Sequence, residues 1–161
     1  MKVLVAMDDS VYSKDMLHLI CRRRWPQDVQ FKIVTVIEPI PAFGHDEEEL
    51  ALEIQKRRDK YAEKLCVDAR HYVEQHVPGS IVHFEIREGK ASREILLAAT
   101  DWEANKILIG AHGHGICPHN LLGSVSRSVA ERAHCSVEIV RTDRAIPQTK
   151  ISSYDRQVTR T

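Results

Sequence analysis

The stretch Asn105-Lys-Ile-Leu-Ile-Gly-Ala-His-Gly-His-Gly-Ile-Cys-Pro-His-Asn-Leu-Leu-Gly-Ser-Val-Ser-Arg127 decides how the chain is read. Its apolar run, Ile107-Leu108-Ile109, stops at Gly110 and passes into a loop containing Gly113 and Gly115. The loop closes at Gly123-Ser124, where a helical pattern begins. A buried strand, a glycine loop and a serine-led helix start are the parts of an anion cradle. Glycine lets backbone N–H groups approach a ligand closely, and a helix N-terminus carries unpaired N–H groups and about half a positive charge. An ordinary strand-to-helix turn is the plainer reading, and three glycines within six residues weigh against it.

Working outward, the rest of the chain alternates strands with helices. Val3 to Met7 is continuously apolar and bounded by Asp8-Asp9-Ser10, which suits a strand covered on both faces. Ser10 and Ser13 can cap the helix that follows, with Met16, Leu17, Leu19 and Ile20 as its apolar positions and a break at Trp25-Pro26. Phe31 to Ile37 is a second strand, stopped by Glu38-Pro39-Ile40-Pro41. Glu47 to His76 is the longest helix, and Leu50, Ile54, Tyr61, Leu65, Ala69 and Tyr72 are predicted to share its apolar face. Its charged face, with Glu53 and Arg57 at i,i+4 spacing, reads as solvated and without function. Pro78-Gly79 ends it.

Ile81, His83 and Glu85 alternate with Val82, Phe84 and Ile86, the pattern of a strand near a sheet edge. Gly89 turns the chain into a short helix, Ser92 to Thr100; Lys106 to Ile109 is the fourth strand. Ser124 to Ala133 is the fourth helix, and Val137 to Val140 the fifth strand. Such alternation predicts an α/β fold, a parallel sheet with helices on both faces. Its ligand crevice belongs at the strand carboxyl ends, where strand order reverses. Asp8 and Gly110 both fall at strand carboxyl ends, so the two motifs point to one site. After Arg141 the pattern stops: residues 142–161 are polar and carry four basic and two acidic side chains, as a flexible or partner-docking tail would.

Composition narrows the function classes. A chain of 161 residues fits one domain, able to bury roughly 70% of its unfolded surface without disulfide or metal. With 23 basic and 23 acidic side chains, no global field favours nucleic acid or a membrane surface. Cys21, Cys66, Cys117 and Cys135 form no Cys-x-x-Cys pair and read as reduced thiols of a cytoplasmic protein. No run approaches the ~18 apolar residues that cross a bilayer.

Other chemistries fit the motifs less well. Gly89-Lys90-Ala91-Ser92 lacks the earlier glycine of a phosphate-binding P-loop, because position 84 is Phe. Gly113-His114-Gly115 is followed by Pro118 where the dinucleotide fingerprint needs glycine. His112, His114 and His119 lack further ligands at zinc-site spacing, so no protein metal site is assigned. Cys117 could be redox-responsive, though nothing in the sequence lowers its pKa. Asp8 and Asp9 could act as acid and base; a ligand contact at Asp8 and helix initiation at Asp9 fit better. No nucleophile–base pair or Walker lysine marks a dedicated enzyme.

The spacing Gly110, two residues, Gly113, nine residues, Gly123-Ser124 resembles the nucleotide-binding members of the universal stress protein family. Asp8-Asp9-Ser10, the segment Gly89 with Glu94-Ile95, and the closing Cys135 to Val140 extend the resemblance over residues 1–141. It implies a Rossmann-like three-layer sandwich with strand order 3-2-1-4-5. It further implies ATP, with adenine near Ala6, Asp8 and Val36. Ribose and phosphates would lie on Ile109, Gly110, Gly113, Gly123, Ser124 and Val125, and Mg would accompany the phosphates. A homodimer paired through the fifth strand and a role in stress response complete the implication. Three features depart from the family: His114 stands where relatives often carry Lys or Arg, which leaves one phosphate contact either absent or pH-dependent; Gly115 and Pro118 give the loop a different path; and Ser136 replaces a common proline. A nucleotide-free interaction module and a slow ATPase remain the alternative readings.

Overall fold

The apolar runs become five strands in a computed structural model, which describes residues 1–39, 48–113 and 121–141. They are β1 (Lys2–Ala6), β2 (Gln30–Ile37), β3 (Ile81–Glu88), β4 (Lys106–Gly110) and β5 (Ser136–Val140). Between them run α1 (Val11–Cys21), α2 (Glu48–His76), α3 (Ala91–Asp101) and α4 (Ser124–Arg132). Every neighbouring pair is parallel, and the order is β3-β2-β1-β4-β5, as the sequence and the resemblance led one to expect.

β1 shows why these strands are uninterruptedly apolar. Side chains alternate across a strand, so Val3 and Val5 enter one core with Met16 and Ile20 of α1 and Cys66, Ala69 and Val73 of α2. Leu4 and Ala6 enter a second core on the opposite face, with Ile95, Ala98 and Ala99 of α3 and Val129 of α4. Both faces are covered, so neither tolerates a polar residue.

β3 is an edge strand, as its alternation predicted. Val82, Phe84 and Ile86 pack on the α2 side. Across the strand, Glu85 accepts from Lys32 (2.9 Å) and Arg87 (2.6 Å), and Arg87 also donates to Asp101 (2.7 Å). Burial alone would raise the Glu85 carboxyl, but the hydrogen bonds and charges of Lys32 and Arg87 together outweigh it and hold its pKa below the usual value. Glu138 on β5 is lowered in the same way: burial opposes the shift, and bonds from Arg23 and Lys106 prevail.

Two sequence expectations need correction. α1 ends at Cys21, ahead of Trp25-Pro26, because Trp25 folds back: its Nε1 donates to Ile20 O (2.9 Å) and its ring packs edge-on against Phe31. The buried stripe of α2 runs through Ala62, Cys66, Ala69 and Val73, whereas Leu50 and Tyr61 are more than half exposed. Small residues let the helix approach the sheet closely, and a count of large apolar side chains passes over them. His114, Cys117, Pro118, His119 and the tail 142–161 lie outside the described residues.

Candidate functional site

α1, α3 and α4 begin at the carboxyl edge of the sheet, and their first turns are satisfied differently. At α1, the Ser10 side chain accepts from Ser13 N (3.2 Å). At α3, Lys90 makes no side-chain cap, but Glu38 Oε1, just past β2, accepts from Ala91 N (3.0 Å). At α4 the N-cap is Gly123, which has no side chain to offer, and no acidic residue occupies the first turn. Ser126 Oγ instead donates to Ala111 O (3.2 Å) and Gly123 O (3.0 Å), tying the helix to the end of β4. Ala111 is pinned further by its N–H on Val140 O (2.8 Å) and by Gly123 N on its carbonyl (2.9 Å). The start of α4 is therefore tied to the end of β4, while its cap position receives no side-chain acceptor among the described residues.

Asp8 sits beside this cradle because β1 pairs with β4, Ala6 opposite Ile109. Its Oδ1 accepts from Ser10 N (3.2 Å), Ser10 Oγ and Ser13 Oγ (2.6 Å). Its Oδ2 lies against Gly113, where an added Cβ would come within 2.6 Å. A side chain at 113 would therefore have to displace the Asp8 carboxylate.

These ends surround an open cavity of about 1090 Å³. Its described wall includes Ala6, Asp8, Val36, Ile109, Gly110, Gly113, Gly123, Ser124 and Val125, so every described candidate from the sequence meets at one place. His114 lies outside the described residues. Ala6, Val34, Val36, Ile95 and Ile109 make an apolar wall, and Asp8, Asp9, Ser13, Ser124 and Ser126 contribute polar groups. Apolar surface with a few convergent polar groups is the usual makeup of a small-molecule site.

Sequence reasoning missed the contribution of α2 and the role of Glu38. Arg57 and Arg58 line the cavity beside Ile54 and Tyr61, although the charged face of α2 reads as merely solvated. Helical spacing groups these residues but says nothing about which strand end they face. Ser126 had a local signal, a second hydroxyl in the first turn after Ser124.

Among the described residues, no group of three or more His, Cys, Asp or Glu side chains could hold a metal ion. A magnesium ion accompanying ligand phosphates would find the carboxylates of Asp8 and Asp9 on the cavity wall. The described thiols are poor nucleophiles: burial raises Cys21 to about 11 and also raises Cys66 and Cys135. No helix among the described residues is long and apolar enough to cross a membrane.

A doubly wound parallel sheet with a glycine-lined cradle at its switch point defines a class of α/β proteins that take ligands at strand carboxyl ends. Residues 1–141 match the model of the universal stress protein family, and the chain belongs to that family. It is 30% identical to universal stress protein A homolog 2 of Coxiella burnetii over 125 residues, 71% of this chain and 76% of that protein. The universal stress protein UspA of Lactobacillus plantarum shares the fold, with a TM-score of 0.73 at 19% identity over 88% of this chain and 97% of that one. Two further structures share it at a TM-score of 0.61. One is a universal stress protein in complex with cAMP (19% identity, 87% and 96% covered). The other is an Arabidopsis thaliana family protein with AMP bound (16% identity, 89% and 92% covered).

Proposed function

We propose that this chain is a nucleotide-binding regulatory protein of stress physiology, with ATP as its ligand. One observation carries the reading: the glycine cradle, the uncapped start of α4 and the apolar ends of β1 and β2 open into the same cavity. Its parts divide the work. The backbone around Gly110, Gly113 and Gly123 and the Ser124 hydroxyl would hold phosphate, while Ala6, Val34 and Val36 would pack on the base. Gly113 would keep the loop against Asp8. A bound magnesium ion would neutralise phosphate charge. The AMP and cAMP carried by two structural relatives support a nucleotide ligand.

Residues 1–141 would form the functional domain, with the tail free to dock a partner. The exposed edge of β5 would pair two copies, since an unpaired edge needs cover. Isothermal titration of the full chain with ATP–magnesium should give saturable one-site heat, and light scattering the mass of a dimer. Absence of heat at millimolar ligand sinks the nucleotide reading; a monomer mass sinks the pairing alone.

A further inference from the structure

The cavity runs over the end of the sheet onto both of its faces. Side chains alternate along a strand, so Val34 and Val36 of β2 lie on the α3 side, while Thr35 and Ile37 lie on the α2 side. All four line the cavity. Its lobe on the α3–α4 side holds the glycine cradle. Its lobe on the α1–α2 side has Met7, Thr35 and Ile37 as a floor and α2, from Ile54 to Leu65, as a roof. That roof continues the buried stripe of α2. Ala69, Cys66 and Ala62 are three or four residues apart, and the same step leads on to Arg58 and then Ile54. Where the stripe passes from sheet to cavity, an arginine therefore occupies a position that is otherwise apolar. Arg58 is half-buried and has no hydrogen bond or acidic partner among the described residues. Arg57 is the contrast, since its side chain is 77% exposed and bonded to Glu53 (2.6 Å). The other polar groups of the wall are engaged or turned away. Cys66 Sγ donates to the Thr35 hydroxyl oxygen (3.4 Å), and Glu38 is bonded to Ala91 N on the α3 side. Asp8 is held by Ser10 and Ser13 and lies against Gly113, while Asp9 is exposed.

We propose that the α1–α2 lobe is a second binding site, for a carboxylic acid with an apolar body, of the medium-chain fatty acid type. The carboxylate sits on the Arg58 guanidinium, whose planar fork matches it with two parallel hydrogen bonds. The chain runs inward from there, between Met7 and Ile37 on the floor and Ala62 and Leu65 on the roof. The helix rises roughly 10 Å from Arg58 to Leu65, room for an extended chain of about eight carbons. Burial of the chain supplies the affinity, and the ion pair in a largely apolar lobe selects the headgroup. This site lies across the sheet from the glycine cradle, so it does not depend on what the cradle holds.

The test is titration of the full chain with octanoate at neutral pH, in the parent and in Arg58→Gln and Arg57→Gln variants. Octanoate should bind saturably to the parent. Arg58→Gln should weaken it by about tenfold or more, and Arg57→Gln, which removes the exposed and already paired guanidinium, by less than about twofold. No octanoate binding at millimolar concentration overturns the proposal, and so do equal losses in the two variants or no loss in Arg58→Gln. Methyl NMR spectra of the parent give a second readout that needs no variant. The resonances of Met7, Ile37 and Leu65 should shift on titration, while those of Val34, Ile95 and Ile109 stay in place. Shifts confined to the second group put the acid on the cradle side of the sheet and overturn the assignment.

Discussion

The starts of α3 and α4 lie on the same face of the sheet, at the same edge, and solve the same problem in opposite ways. Every helix begins with N–H groups that have no partner within the helix. At α3 the chain supplies one, Glu38 on Ala91 N, from beyond the end of β2. At α4 it places Gly123 at the cap, omits acidic residues from the first turn and spends Ser126 on fixing the β4 end. A polar group answered from within the chain is part of the structure, whereas one left facing a cavity is part of a site. The β3 edge belongs to the first kind, since Lys32, Glu85, Arg87 and Asp101 answer one another.

The comparison breaks most sharply if α4 is given what α3 has. A Gly123→Asp substitution adds a cap acceptor and a negative charge where the phosphate would sit. Nucleotide affinity should fall by at least about a hundredfold, while stability changes by no more than about 1 kcal/mol, because the better cap offsets the tight 3.3 Å approach to Ala111 O. Titration calorimetry beside urea melts separates the two effects. Affinity that survives the new carboxylate would place the ligand elsewhere.

Removing the internal answer at α3 is the converse and should be smaller. Glu38→Ala leaves Ala91 N without its carboxylate and should cost about 1 kcal/mol, read as a lower urea midpoint at unchanged slope. A loss indistinguishable from zero would mean that water replaces Glu38 fully.

The smallest effect is the response of the edge charges to acid. Glu85 and Glu138 have folded pKa values below the ordinary 4.5, so folding favours their ionised forms. Their contribution is complete above the unfolded carboxyl value and is lost as pH falls through the lower folded values. Melting temperature followed downward from pH 5 should therefore fall less steeply in a Glu85→Gln, Glu138→Gln double variant than in the parent chain. Parallel slopes would show that these pairs contribute nothing to the pH dependence.

Much of this molecule was legible before any coordinates. Continuous apolarity in Val3 to Met7 required cover on both faces, alternation in Ile81 to Glu88 required an edge, and Gly110, Gly113 and Gly123 marked the cradle. Those are local signals: side-chain period and glycine spacing act over a few residues, and the sequence displays them directly. What only the tertiary structure decided were relations between distant segments. Asp8 lies against Gly113 because β1 and β4 are neighbours in register, and Glu38 meets Ala91 because β2 ends where α3 begins. Arg57 and Arg58 reach the cavity because α2 packs through its small residues, Ala62, Cys66 and Ala69, which turns a face read as solvated toward the strand ends. Helical period groups side chains on a face, but only the packing of that helix on the sheet settles what the face meets.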